Sequence, residues 1–322
     1  MNPMNIKQIA YFLATVRRER PLVINMTNDV VMNLCANSLL ALGASPIMAH
    51  SRQEMAELMP LARALVVNIG TLDEKRVAQM EYAIECANQH HTPIVLDPVG
   101  CGASTYRTKV SRHFASLARH LTLRANASEV IALAGHTPLD NSAEGYPLAG
   151  HTPLDNSAEG YPLAGHTPLD NSTEGYPLAG HTPSIDECPR GNKGVDSQDS
   201  TLSALEAAHQ IREQYQTDVS ISGATDIIVT QNHDYYLTNG SPIMPYVTGL
   251  GCALSSLTGA FAAVGECSGL AAAAIWGVVG EIAAERCDGP GFLTGEMLDI
   301  LYHLDEATLS KRLKMNIERH PY

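Results

Sequence analysis

The sequence predicts an α/β protein with a mostly parallel central sheet flanked by helices. Two observations predict it. Through the first half, short apolar runs alternate with longer stretches whose apolar residues recur at helical spacing, the signature of βα units on a parallel sheet. In the second half Ala, Gly, Leu and Val dominate, and aromatic residues are only 5% of the chain, a texture that suits helices packed on such a sheet.

The elements follow in order. Ile6, Ile9, Ala10, Phe12, Leu13 and Val16 repeat as one face of an amphipathic helix. "PLVINM" (21–26) is a short apolar strand ending in polar residues, and "VVMNLCANSLLALGA" (30–44) is a helix stopped at Gly43. "SPIMAH" (45–50) reads as a strand, "AELMPLA" as helical, and "RALVVNIGT" (63–71) as a buried strand running into a glycine turn. Residues 72–91 form a surface helix, and "TPIVLDPVGCGAS" (92–104) is a strand with Asp97 at its carboxyl end. "LTL" is the next strand, followed by "RANASE" (124–129). Beyond residue 198 come a helix (199–216), then over 217–240 a strand, a glycine turn and a hairpin-like pair. An apolar helix starts at the Gly-x-Gly-Cys turn, two more follow, and "PGFLTGEMLDILYHLDEATLSKRLKM" closes the chain as helices.

One segment breaks the pattern. The unit "HTPLDNSAEGYPLAG" occurs at 136–150, 151–165 and 166–180, with Thr173 in place of Ala143 and Ala158, and a partial fourth copy begins at His181. Each copy is rich in Pro and Gly and has no periodic apolar face, so ordering it would not be offset by burial. The expectation is a single domain over 1–322, interrupted at 136–190 by an extended, disordered tandem-repeat insertion. Closure entropy grows only with the logarithm of loop length, so the fold tolerates it.

Charge and cysteine usage narrow the function. The net charge is −13, and the three complete repeat copies carry six of the acidic residues and no basic ones. The sole basic cluster is "RRER" (17–20), so neither nucleic acid nor an anionic membrane is expected as a partner. No apolar run is long and uniform enough to span a bilayer, and "GLAAAAIWGVVGEIAAERC" carries Glu281, Glu285 and Arg286 in its second half. Seven cysteines, an odd number without a CxxC pair, argue against a disulfide framework or a zinc site and for a reducing, cytoplasmic setting.

Three constellations carry chemistry, each at a strand end, where ligands of parallel sheets bind. Asn126 and Glu129 form N-x-x-E: an amide and a carboxylate suited to Mg²⁺ through water, or equally an N-cap with a first-turn acid. Asp97 before Pro98 is a metal-binding carboxylate or an Asx-turn residue. "TGLGC" places Gly249, Leu250, Gly251 and Cys252 at a helix start, where backbone N–H groups and the helix dipole favour an anion. A thiol there is expected to have a lowered pKa, unless the turn is merely tight and the Cys buried and inert. An anion-binding helix start, metal ligands and a base at one sheet edge are what a kinase needs.

Together "PLVINMTNDVVMNLCANSLLALGASPIM", "NIGTLD", "VLDPVGCGASTYRT", "RANASEVIALAG", "KGVDS", "ISGATDIIV" and "VTGLGCALSSLTGAFAA" resemble the hydroxyethylthiazole kinase family, thiamine-salvage enzymes with a ribokinase-like three-layer sandwich fold. The resemblance spans nearly the whole chain apart from roughly 136–190. It implies transfer of the ATP γ-phosphoryl to the primary alcohol of 4-methyl-5-(2-hydroxyethyl)thiazole. It implies Cys252 as base, where fold relatives carry aspartate. Met48 and Gly249 would contact the thiazole alcohol, Arg124 and Ser222 the ATP, and Asp97, Asn126 and Glu129 the Mg²⁺. It also implies a homotrimer with sites at subunit boundaries, Asn28 and Met48 serving a neighbour's site.

The sequence departs from the family's T-G-T-G-C turn at Leu250, from its usual Thr at Ser222, and by the repeat. Leu250 is harmless if the turn binds phosphate through backbone alone. Competing readings are a hydroxymethylpyrimidine or pyridoxal kinase, which Cys252 in place of Asp disfavours, and a weakened thiazole- or nucleotide-binding protein using the repeat as an interaction segment.

Overall fold

Alternating apolar residues along the strands sort the core onto two faces of one sheet. The computed structural model describes residues 3–135 and 198–320, with side chains other than those of 198–202. The repeat expected at 136–190 lies outside these residues. The strands are β1 (Leu22–Met26), β2 (Ser45–Ile47), β3 (Ala64–Asn68), β4 (Ile94–Asp97), β5 (Leu121–Asn126), β6 (Asp218–Ser222), β7 (Asp226–Val229), β8 (His233–Leu237) and β9 (Met315–Arg319). They lie in the order β2-β1-β3-β4-β5-β6-β7-β8-β9. The six strands from β2 across to β6 are parallel, and β7, β8 and β9 are antiparallel to their neighbours. This is the mostly parallel sheet that the sequence predicts.

Val23, Val66 and Val95 point into one core, with α1 (Ile6–Glu19), α2 (Met32–Leu42), α8 (Leu250–Ala262), α9 (Leu270–Ala284), α10 (Leu293–His303) and α11 (Glu306–Arg312). Ile24, Leu65, Val67 and Leu96 point into the other, with α4 (Glu74–His90), α5 (Thr105–Leu117), α6 (Ala127–Ala134) and α7 (Gln198–Tyr215). The short α3 (Arg52–Leu58) packs on α4. Helices on both faces of one sheet make the three layers.

Two features position the site. Helix α8 lies against β1, β3 and β4, and a Cβ at Gly259 would stand 2.5 Å from Val66 Cγ2. Only a residue without a side chain lets the helix come so close, and that brings its first turn to the carboxyl edge of the sheet. The strand ends are also level: Asn68 pairs with Asp97, and Asn126 with Ser222.

Two elements differ from the sequence pattern. The alternation predicts nothing for residues 105–120, where α5 stands, capped by Ser104, which accepts from the Arg107 N–H. The chain was expected to close as helices, but residues from Met315 add the antiparallel strand β9 beside β8. On this edge strand Asn316, Glu318 and Arg319 are exposed, so no apolar run announces it. Helices α6 and α7, on either side of the repeat, pack on each other.

Candidate active site

Asp97 ends β4 and is buried to 1% exposure. One carboxylate oxygen accepts from Asn68 Nδ2 at 2.7 Å and from Ser255 Oγ at 2.7 Å, while the Arg124 guanidinium lies 3.8 Å away. The other oxygen, Oδ1, is buried and has no hydrogen-bond partner. Asn68 in turn accepts from Asn28 Nδ2 at 2.9 Å, and the same Asn28 nitrogen stands 3.5 Å from Cys252 Sγ. A chain of side chains therefore runs from the acid at the centre of the sheet to the thiol on α8.

The next strand end closes on itself. Asn126 caps α6: its Oδ1 accepts from the Glu129 N–H at 3.0 Å, and Glu129 returns a carboxylate oxygen to the Asn126 N–H at 2.9 Å. This is a capping box. The other Glu129 oxygen accepts from the Gly100 N–H at 2.9 Å, in the turn after β4. Both Glu129 oxygens are thus held by backbone N–H groups, one of them from the turn after β4. The Asn126 oxygen is shared by the Glu129 N–H and the Ser128 hydroxyl.

Helix α8 starts differently. Its N-cap is Gly249, at φ 89°, with no side-chain cap, and a Cβ there would stand 2.7 Å from Val31 Cγ1. The first N–H to bond back is that of Ala253, to the Gly249 carbonyl. The N–H groups of Leu250, Gly251 and Cys252 precede it and have no acceptor within the helix. The Leu250 side chain is buried in the core, so the turn is lined by backbone. Arg124 lies beside it: a Cβ on Gly251 would be 2.9 Å from Arg124 Nη1. The same guanidinium donates to Ser222 Oγ, and its Nε is buried without a partner.

The electrostatics suit a cation between two acids and an anion at the helix start. Burial pushes the Asp97 carboxyl above its ordinary range, against the opposing pull of Arg124, Ser255 and Asn68. Burial, then the nearby Asp97 charge, raises Glu129. Two buried acids that each resist ionisation, one with an unpartnered oxygen, form the donor set that a hard divalent ion relieves. The thiol departs from expectation. Burial, then the Asp97 charge, pushes Cys252 up to about 12 rather than down. The helix start alone favours a thiolate, but loss of water and a neighbouring carboxylate outweigh it.

The hydroxyethylthiazole kinase family model matches residues 13–144 and 180–307, leaving out most of the repeat. The chain belongs to this family. A hydroxyethylthiazole kinase of Vibrio parahaemolyticus is 49% identical over 314 residues, 98% of this chain and 100% of that protein. The structure of a hydroxyethylthiazole kinase protein from Pyrococcus horikoshii superposes with a TM-score of 0.75 at 32% identity, over 97% of this chain and 99% of the other. A ribokinase-like superfamily protein of Enterococcus faecalis superposes with a TM-score of 0.53 at 10% identity, over 90% and 87% of the two chains, and shares the fold.

In this family member Asp97, Glu129, Asn126, Arg124, Ser222, Gly249 to Cys252 and Asn28 all come to one edge of the sheet. Asn28, expected to serve a neighbour's site, is bonded to Asn68 and Cys252 of its own chain. Met48 stands apart, half-buried just past the edge strand β2. Sequence reasoning missed Asn68 and Ser255, the two donors to Asp97, and Arg107. The Arg107 guanidinium donates to the Ile69, Gly70 and Val99 carbonyls at 2.7, 2.7 and 2.8 Å, tying together the turns after β3 and β4. One signal was available for Ser255: it lies three residues after Cys252, on the same side of the helix.

Proposed function

We propose that the protein transfers the γ-phosphoryl group of ATP to the hydroxyl of 4-methyl-5-(2-hydroxyethyl)thiazole. The alcohol oxygen bonds to the γ-phosphorus as the bond to the ADP oxygen breaks, and the alcohol proton leaves to a base. The observation that carries this reading is the uncapped start of α8 facing Arg124, beside two buried acids. The N–H groups of residues 250–252 and the Arg124 guanidinium offset charge spreading over the transferred oxygens. Arg124 and Ser222 hold the ATP; Asn28, Met48 and Gly249 hold the thiazole alcohol. Asp97 and Glu129 hold Mg²⁺, with Asn126 setting the Glu129 carboxylate, and the ion when bound neutralises phosphate charge.

Cys252 takes the alcohol proton. With the thiol pushed up to about 12, only the thiolate minority present at neutral pH can accept that proton, and it does so late, as the alcohol acidifies in a loose transition state. Positioning and electrostatics supply most of the rate.

The same reading includes a cytoplasmic homotrimer and a single domain interrupted by the repeat at 136–190. Among the described residues no helix is long and apolar enough to cross a membrane, and six cysteines are free thiols. Because α6 and α7 pack together, deleting His136–Gly180 should leave kcat within about two-fold and change stability by about 1 kcal/mol or less.

The deciding experiment is ATP consumption by the purified protein with a panel of thiazole, pyrimidine and pyridine alcohols. Turnover with the thiazole alcohol alone is expected. Turnover only with a pyrimidine or pyridine alcohol, or with none, overturns the assignment.

A further inference from the structure

The sheet's opposite edge carries a second polar cluster, outside the candidate active site. His209 lies on α7, Asp234 on β8, and His320 just past β9. Strand β7 runs antiparallel to β6, and β8 antiparallel to β7, so β8 begins at the edge where β6 begins, away from Asp97. His209 Nε2 is 3.1 Å from one Asp234 oxygen, and His320 Nε2 is 2.8 Å from the other. The two imidazole rings are 4.9 Å apart between centroids. Asp234 is 5% exposed.

The hydrogen bonding is incomplete. His320 Nδ1 stands 3.3 Å from the Gln231 carbonyl, which can only accept, so Nδ1 carries a proton. In a neutral ring Nε2 then presents a lone pair to the Asp234 carboxylate. Both His320 Nε2 and Asp234 Oδ1 are buried, close, and not aligned as a hydrogen bond. One divalent ion can satisfy both the His320 Nε2 lone pair and the unbonded Asp234 oxygen.

We propose that His209, Asp234 and His320 bind a divalent transition-metal ion of the Zn²⁺ class, which pins the terminal strand β9 and its neighbour β8 to α7. Two imidazole nitrogens and a carboxylate suit Zn²⁺ or Co²⁺, with water as the fourth ligand, and do not suit Mg²⁺, which prefers oxygen. The Gln231 carbonyl supplies the outer hydrogen bond that orients a metal-bound histidine. One ligand atom from each residue lies within 4.8 Å of the other two. A tetrahedral ion with Zn–N bonds of about 2.0–2.1 Å draws them closer still. His209, whose side chain is 36% exposed, is the ligand with room to shift inward. The role is structural, because the cluster sits across the sheet from the candidate active site.

The test uses the full chain, stripped with chelator and then held in saturating Mg²⁺ so that the oxygen site is occupied. Zn²⁺ and Co²⁺ are titrated into wild type, His209→Ala, His320→Ala and Asp234→Asn. Binding is followed by calorimetry and by the visible absorption of tetrahedral Co²⁺. Wild type should bind one more equivalent than each variant, and its Tm should rise by a few degrees in Zn²⁺. The variants should show no such rise, melt cooperatively in chelator, and keep kcat within about two-fold. Difference measurement removes binding by histidines of the repeat. Equal binding in wild type and variants overturns the proposal. So does a Tm in wild type that Zn²⁺ leaves unchanged, which would mean that protons hold the cluster.

Discussion

Helices α6 and α8 both begin at the carboxyl edge of the same sheet, and their first turns are opposites. The α6 turn is closed by its own side chains: Asn126 and Glu129 satisfy each other's backbone. The α8 turn begins at a glycine and leaves three N–H groups without an intrahelical acceptor. A closed turn uses its donors to fix a carboxylate in one orientation. An open turn keeps its donors for something that arrives. The first gives the site a fixed negative group, the second a receptor for a negative ligand, and Asp97 sits between them, touched by Ser255 of α8 and sensed by Glu129 of α6.

The contrast is tested hardest at its midpoint. Asp97→Asn keeps the shape but removes the charge that both turns face. We expect kcat to fall about 10²–10³-fold in steady-state assays with Mg-ATP, the scale of losing one charge-stabilising group. A variant with wild-type turnover would remove this acid from the chemistry.

On the open turn, Cys252→Ala should lower kcat about 10²-fold without unfolding the protein. The pH profile sharpens this. With the thiol pushed up to about 12, the thiolate fraction grows with pH throughout the working range, so kcat should climb from neutral to alkaline pH. Cys252→Asp, ionised at lower pH, should retain substantial activity and flatten the climb. A wild-type profile that is flat between neutral and alkaline pH would show that the open turn works through its backbone alone.

On the closed turn, charge and cap can be separated. Glu129→Gln removes the charge and can keep the capping box through its one amide oxygen, but its NH₂ then faces the Gly100 N–H that the second carboxylate oxygen accepts from. The Mg²⁺ concentration for half-maximal activity should rise about ten- to a hundredfold, with Tm lowered by no more than a few degrees for the lost Gly100 bond. Unaltered Mg²⁺ dependence would reduce Glu129 to a helix-start acid. Asn126→Ala should have the smallest effect, about 1 kcal/mol of stability from the lost cap, read as a Tm lower by about 2–4 °C. A larger loss of Mg²⁺ affinity than in Glu129→Gln would mean that Asn126 does more than cap.

Strands β3 and β4 were legible because they are apolar on both faces up to their polar last residue. β3 is buried at every position and ends in "NIG", a boundary that the glycine marks. β9 was not legible, since an edge strand with exposed Asn316 and Glu318 has no pattern to distinguish it from a helix end. In the candidate site, Asp97, Glu129 and Cys252 could be picked out by their chemistry, and Arg124 by the family resemblance. Asn68 and Ser255 were not, because an Asn in a turn and a Ser among small helical residues look ordinary until the fold aims them at Asp97. The choice between a lowered thiol and a buried, inert one was left open in the sequence for a related reason. A helix start can be read from sequence; the depth at which it is buried, and the acid beside it, cannot.

The packing of α6 on α7 has a consequence for how this gene can change. The two helices complete the crossover from β5 to β6, so residues 136–197 lie in sequence between elements that pack on each other. We expect coding DNA inserted between these helices, whether by replication slippage of a 15-residue unit or by deliberate cloning, to alter neither the register of a strand nor the aim of a site residue. On that expectation the joint is a port for fusing a tag, a reporter or a second domain into the middle of the enzyme.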